Sequence, residues 1–377
     1  MYTQAAVLYQ MHQPTPYADS QPLTIEELEL SGPGEGEVLV EVASAGLCHS
    51  DLSVIEGTRP RVMPMALGHE ASGIVREVGR GVSAFSPDDH VVFSFMPSCR
   101  RCAFCLNGRP ALCENGAKAN VAGTLLSGGR RFKNRAGQEL HHHLGVSAFS
   151  QYTVVSQESL VKIDPNLPLD KAALFGCAVL TGVGAVVNTA RVEAGSGVAV
   201  FGLGGVGLSI IMGARAVGAY PIIAVTSQER KVELARRAGA SHTIVIGTDI
   251  DPVQAIKDIS RGGTPYAFES VGSAEVLEQA YRATGRGGTT ITVGLPHPGK
   301  LLAIPAVSLV TEEKSIKGSY MGSAVPDRDI PRFIAMYQAG LLPVELLQTH
   351  SIGLADINPA FDRLARGEAV RQLLSFN

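Results

Sequence analysis

The chain runs to 377 residues, a length that favours two domains over one. Its formal net charge of −3, with no long run of either sign, argues against nucleic acid or an anionic membrane surface as a partner. Hydrophobic residues make up 45% and charged residues 18%, the balance of a globular protein with ample core material.

The first residues, Met1-Tyr2-Thr3-Gln4-Ala5, lack the basic-then-apolar layout of an export signal. Six cysteines in such a chain point to metal ligation over disulfides, and so to the cytosol. Residues 1 to 45 read as short strands and turns, with 38–42 strand-like after the turn Ser31-Gly32-Pro33-Gly34. Residues 74–78 and 89–93 continue in this way, so the first part is mostly β with loops carrying the reactive side chains. Four of the six cysteines, Cys99, Cys102, Cys105 and Cys113, then fall close together. Four thiolates at this spacing can surround one tetrahedral zinc and leave no open position, which makes the site structural. The opening spacing overlaps that of ferredoxins, so an iron–sulfur cluster is the competing reading, although the Cys-Pro that ends the ferredoxin run is missing.

Residues 114–150 read as a long polar loop whose run His141-His142-His143 belongs to a partly exposed segment entering a strand, with metal binding the rival reading. Strands are expected at 152–155 and 160–163, and a helix opens at 169 with Asp170 in its first turn. Near residue 178 the character changes to apolar runs alternating with amphipathic stretches, the mark of a parallel sheet with crossover helices. The apolar stretch 198–225 is interrupted by glycines and by Arg215, and so reads as buried strand–helix–strand rather than a membrane span. Further strands are expected at 243–246, 266–270 and 289–293, and helices at 229–238, 330–339 and 357–366.

The strand 197–201 runs into Gly202, Gly204, Gly205, Val206 and Gly207 and then a helix, the setting in which a G-x-G-x-x-G motif carries weight. Its glycines allow a tight turn, approach of the backbone to a pyrophosphate, and close helix–strand packing. An acidic residue at the end of the next strand would accept from a ribose 2′-hydroxyl. This chain instead has Thr226 and Ser227, with Glu229, Arg230 and Lys231 beyond, and hydroxyls and cations suit a 2′-phosphate, so NADP is favoured over NAD. Cys48, His69 and the distant Cys177 add two thiols and an imidazole, a set that leaves a tetrahedral zinc one open position for chemistry.

These residues, with Cys48-His49-Ser50-Asp51, Gly68-His69-Glu70, Phe149-Ser150-Gln151-Tyr152, Gly176-Cys177 and the closing Gly367-Glu368-Ala369-Val370-Arg371, give a chain that resembles the zinc-dependent medium-chain alcohol dehydrogenases over essentially its full length. The long segment after Cys113 is similar to that of the liver-type and glutathione-dependent formaldehyde dehydrogenase branch. The resemblance implies an α/β protein: a mostly-β GroES-like catalytic domain over 1–178 with a structural-zinc loop at 96–115, a Rossmann domain with a doubly wound parallel sheet over 179–320, and a return to the catalytic domain over 321–377. It implies that Cys48, His69 and Cys177 hold the catalytic zinc with Glu70 close by, and that Asp51 orients His69. It implies that Ser50 takes the substrate's hydroxyl proton, that Thr181, Val206 and Val293 contact the nicotinamide, that His49 and Arg371 pair with the pyrophosphate, and that Lys231 reaches the ribose. Ser53 stands where liver-type members often end the proton relay with a histidine. Phe95, Leu144 and Leu295 are expected in an apolar substrate pocket with His143 at its wall, which suits a medium-sized aromatic or terpenoid alcohol. Arg59 and Lys118 replace apolar pocket residues and suggest a substrate with a distal carboxylate, against the plainer reading of solvated rim cations. The segment between Asp51 and Gly68 departs from the glutathione-dependent pattern, which places a formaldehyde–glutathione adduct behind a plain alcohol as the expected substrate. Zinc-free relatives, such as quinone reductases and non-enzymatic lens crystallins, form a second class against which the intact Cys48/His69/Cys177 set argues. A homodimer built by extending the nucleotide-domain sheet through 301–304, or a tetramer, is the expected assembly.

Overall fold

The computed structural model describes residues 1–247 and 250–376. They pack as two compact units: residues 1–177, 325–331 and 348–376 in one, and 178–247, 250–324 and 332–347 in the other. The expected return of 321–377 to the first unit is therefore split. The stretch 332–347, most of the helix expected at 330–339 included, packs with the second unit.

The first unit is built on two β arrangements. Strands Tyr2–Leu8, Leu23–Leu30, Phe132–Lys133, Glu139–His142 and Met65–Ala66 close into a barrel. Alternation along Leu23–Leu30 and its partners sends Ala5, Val7, Leu28, Leu30, Phe132 and Leu140 into one buried cluster. A seven-stranded sheet holds Glu37–Gly46 and Glu70–Val78 side by side as its longest antiparallel pair, with Gly46 opposite Glu70. Strand Arg371–Ser375 pairs with the far end of Glu37–Gly46, so the end of the chain returns to the place where Cys48 begins its helix.

The stretch 114–150, expected as a loop, contains the helix Glu114–Ala122 and the hairpin of Phe132–Lys133 with Glu139–His142. His142 and His143 are buried rather than partly exposed. The polar composition misleads here because the apolar positions that fill the barrel, Leu125, Phe132 and Leu140, are widely spaced.

The second unit is a six-stranded parallel sheet in the order His242–Val245, Ile222–Thr226, Val198–Phe201, Thr264–Glu269, Thr284–Thr292, Ser315–Gly318. That is the doubly wound order 3-2-1-4-5-6, with its switch point beside Val198–Phe201. All four residues of Val198–Phe201 are buried, as a central strand covered on both faces requires. Residues 301–304 form no strand, so the edge strands of this sheet among the described residues are His242–Val245 and Ser315–Gly318. No single helix among the described residues is long and apolar enough to cross a membrane.

Candidate active site and metal centres

Cys48 follows the strand Glu37–Gly46 and caps the helix His49–Ile55. The backbone N–H of Cys48 donates to Asp51 Oδ2 at 3.2 Å, so the first helical turn fixes both side chains at once. His69 precedes the neighbouring strand Glu70–Val78, after Gly68 at φ +94. A Cβ on Gly68 would lie 2.5 Å from the Phe149 nitrogen, so only glycine permits this approach. Cys177 follows the turn Leu174–Gly176, where a Cβ on Gly176 would stand 2.6 Å from the Phe93 carbonyl oxygen.

These three elements bring the ligand atoms of Cys48, His69 and Cys177 within 4.8 Å of one another, all buried. Hydrogen bonding from Cys177 drives the Cys48 thiol far down against its burial, with Arg371 and His69 assisting, and the same contact drives Cys177 up. Two sulfurs beside an imidazole in a buried pocket are a soft donor set, which fits zinc once their protons are released. His69 Nδ1 lies 3.0 Å from Asp51 Oδ1, leaving Nε2 for a metal. Phe95 packs edge-on against the His69 ring at 5.3 Å between centroids.

Glu70, fully buried, receives Arg371 Nε at 3.2 Å on each carboxylate oxygen. Burial pushes its carboxyl up to about 7 despite Arg371, and the Cys48 charge adds to the rise. Arg371 also lies 3.6 Å from Cys48 Sγ through Nη2 and donates to the Val370 carbonyl. Its guanidinium is thus engaged with the zinc-site wall, a partner the sequence did not suggest when it assigned Arg371 to a pyrophosphate.

The four clustered cysteines likewise converge within 4.8 Å. Backbone N–H groups of Cys99, Cys102 and Gly116 donate to sulfurs at 3.3–3.4 Å, and Asn115 Nδ2 donates to Cys99 Sγ at 3.1 Å. Burial pushes the Cys99 thiol up, but donors from Arg101, Asn115 and Cys102 bring it down to about 6. Donors aimed at four converging sulfurs fit a closed tetrathiolate zinc site.

In the second unit the glycine-rich turn behaves as its spacing predicts. Gly202 has φ +93, and a Cβ on Gly207 would lie 1.9 Å from the Gly202 carbonyl oxygen. Gly204 heads the twelve-residue helix Gly205–Ala216, and a Cβ there would meet nothing within 4 Å. That open place above free helix N–H groups is where a pyrophosphate fits. Thr226 ends its strand buried and accepts from Gln228 N–H at 3.1 Å, while Ser227, Arg230 and Lys231 follow it in the turn. Burial lowers the Lys231 ammonium, and Arg230 adds to the shift. Thr181 lies in the helix Ala178–Gly184, Gly205 and Val206 open the long helix, and Val293 N–H donates to the Glu269 carbonyl.

The remaining expected residues scatter. Ser50 and His49 open the helix after Cys48, and Ser53 donates to the His49 carbonyl at 2.8 Å. Arg59 is half-buried and follows the same helix, Lys118 is exposed on Glu114–Ala122, and Leu295 is 48% exposed. Leu144 is buried with φ 53. The sequence placed His143 at the pocket wall but did not foresee its contact with Asp51, and it did not single out Arg61. Asp51 Oδ1 also lies 3.1 Å from His143 Nδ1, and Arg61 is near enough to act electrostatically on His143.

Residues 34–165 match the alcohol dehydrogenase GroES-like domain family, and residues 205–339 match the zinc-binding dehydrogenase family. An S-(hydroxymethyl)glutathione dehydrogenase of Paracoccus denitrificans is 36% identical over 364 residues, covering 94% of this chain and 97% of the relative. A class-3 alcohol dehydrogenase of Oryza sativa subsp. japonica is 38% identical, with 94% of each chain covered. The crystal structure of benzyl alcohol dehydrogenase from Acinetobacter calcoaceticus superposes with a TM-score of 0.90 at 31% identity, covering 100% of both chains. With two metal-binding constellations, a doubly wound nucleotide fold and relatives matched over nearly their whole length, this chain belongs to the zinc-dependent medium-chain alcohol dehydrogenases, on the branch that includes the glutathione-dependent formaldehyde dehydrogenases.

Proposed function

We propose that this enzyme oxidises an alcohol reversibly to an aldehyde or ketone, passing hydride to NADP in preference to NAD. The observation that carries this reading is the convergence of Cys48, His69 and Cys177, a three-donor set that leaves one position open. Zinc held there supplies Lewis acidity toward the substrate hydroxyl, and the nicotinamide accepts the hydride. Asp51 fixes the His69 ring, Ser50 receives the hydroxyl proton, and Glu70 with Arg371 balances charge beside Cys48. The open place at Gly204 seats the pyrophosphate, and Thr226, Ser227, Arg230 and Lys231 favour the 2′-phosphate.

The relatives reverse the order of substrates expected from sequence. Those named for S-(hydroxymethyl)glutathione match this chain over more than nine-tenths of its length, so that adduct becomes the first substrate to test. It carries carboxylates, and the half-buried Arg59 and Arg61 lie in the segment where sequence alone had argued against it. Aromatic alcohols come next, given the benzyl alcohol dehydrogenase likeness. The protein works as a homodimer joined at the edge strand Ser315–Gly318, near the exposed Leu301, Val307 and Val310, in a thiol-reducing compartment. Formaldehyde with glutathione, benzyl alcohol and ω-hydroxy acids should each be assayed with NAD and NADP on zinc-loaded enzyme. Turnover of none of them would overturn the reading, and a higher kcat/KM with NAD throughout would overturn the cofactor preference.

A further inference from the structure

The zinc set is complete without His143, yet the fold takes trouble to place that ring. His143 N–H donates to Ser147 Oγ at 2.9 Å, and Ser147 Oγ donates to the Ala66 carbonyl at 2.8 Å. The intervening loop turns through three left-handed residues, Leu144, Gly145 and Ser147, with φ between 53 and 67. Two of these bear side chains, a costly conformation kept only where the surroundings impose it.

The ring so placed meets the catalytic site twice. The two rings meet edge to face at 5.6 Å and 89°, the same arrangement that Phe95 makes with His69 at 5.3 Å. The Nδ1 of His143 is buried 3.1 Å from Asp51 Oδ1, close enough for charge contact but outside hydrogen-bond geometry, whereas His69 Nδ1 is hydrogen-bonded to the same oxygen at 3.0 Å. Asp51 is wholly buried and also accepts from the backbone of Cys48 at 3.2 Å and of Gly68 at 3.3 Å. Three donors around one buried carboxyl require a carboxylate, which only accepts, so the Nδ1 of His69 carries hydrogen, and His143 Nδ1 faces the same anion as a fourth neighbour. One anion thereby sets the tautomer of His69 and lies against a second ring, and each ring limits how far that anion can swing.

Resting on the reading of Cys48, His69 and Cys177 as a zinc site, we propose that His143 is a positioning residue for His69: through Asp51 and through ring contact it holds the ligating imidazole in register with the two sulfurs. Loss of an outer partner of a ligating histidine lowers metal affinity by about 10–100-fold.

The test compares His143→Phe, which keeps the ring contact but removes the nitrogen that faces Asp51, with His143→Asn, whose amide N–H stands near the place of Nδ1. Zinc release from resting protein to a chromogenic chelator is followed without alcohol or cofactor. The expected result is catalytic-zinc release about tenfold faster in the Phe variant, a rate near wild type in the Asn variant, and unchanged release from the four-cysteine site in both. Turnover should fall in kcat with KM for a small alcohol unmoved in the Phe variant, and recover in the Asn variant. If the Phe variant does not fold, His143→Ala takes its place in the same comparison. Wild-type zinc release after removal of that nitrogen, or release in the Asn variant as fast as in the Phe variant, overturns the proposal. Because release is read without turnover, an enzyme inactive on every alcohol would defeat the functional reading and leave this test intact.

Discussion

His142 offers a test of the barrel that is independent of the zinc sites. Its ring is fully buried, tilted against Phe132 at 5.0 Å, and its Nε2 accepts from the Arg131 N–H at 3.2 Å. Burial, followed by the charges of Arg131, Arg130 and His141, drives it down to about 3. A base whose folded pKa is depressed contributes stability that is fully present above its unfolded value, about 6.5, and is lost as pH falls toward the folded one. At about pH 5 the unfolded ring is almost wholly protonated and the folded ring almost wholly neutral, which costs about 2 kcal/mol of stability relative to about pH 7.5. His142→Phe removes this titration. At neutral pH it should destabilise by about 1–3 kcal/mol, because the Arg131 N–H loses its acceptor. The gap between wild type and variant should then narrow by about 2 kcal/mol between about pH 7.5 and pH 5. Urea unfolding of both proteins at several pH values measures the gap, and effects common to both, zinc release included, cancel in the difference. A gap constant across that range would refute the picture of a neutral core imidazole.

Other outcomes follow from the two sites. Cys177→Ser should lower the zinc content from two ions per chain to one and abolish turnover, read by metal analysis and alcohol oxidation, while the four-cysteine site keeps its ion. Gly204→Ala and Gly207→Ala should separate binding from folding. The first fills open space and should weaken NADP about tenfold or more in a binding titration while stability stays within about 0.5 kcal/mol. The second forces a Cβ to within 1.9 Å of the Gly202 carbonyl oxygen and should unfold the second unit more readily, by about 2–4 kcal/mol in thermal or urea melts. Thr226→Asp should place a carboxylate at the end of Ile222–Thr226 and shift the NADP-to-NAD ratio of kcat/KM toward NAD by about 10–100-fold.

The parts of this protein that were legible in its sequence are those where one local requirement admits few residues. The turn from Val198–Phe201 into its helix needs Gly202 for its left-handed backbone and Gly207 for close packing, and both needs leave a written mark. Cysteine is scarce, so four of six crowded between 99 and 113 announced their site, and Cys48, His69 and Cys177 were recognisable from the short motifs around each. What stayed hidden depends on three-dimensional neighbours that no local pattern encodes. The hairpin at Phe132–Lys133 and Glu139–His142 is too short for a period-two signal, and its polar composition masked burial that the barrel imposes. The engagement of Arg371 with Glu70 joins residues 301 apart in sequence. Asp51 shows the same limit most sharply. The family resemblance implied it as a partner for His69, and that contact is present, while its acceptance of the Cys48 N–H at the start of the helix was not foreseen. Nothing near it foretold His143, because that ring arrives on a loop whose direction is set by left-handed backbone at Leu144 and Ser147. Such backbone at residues other than glycine leaves no compositional trace. Where a fold meets that cost beside a metal site, the placed side chain rather than the loop is the feature under constraint.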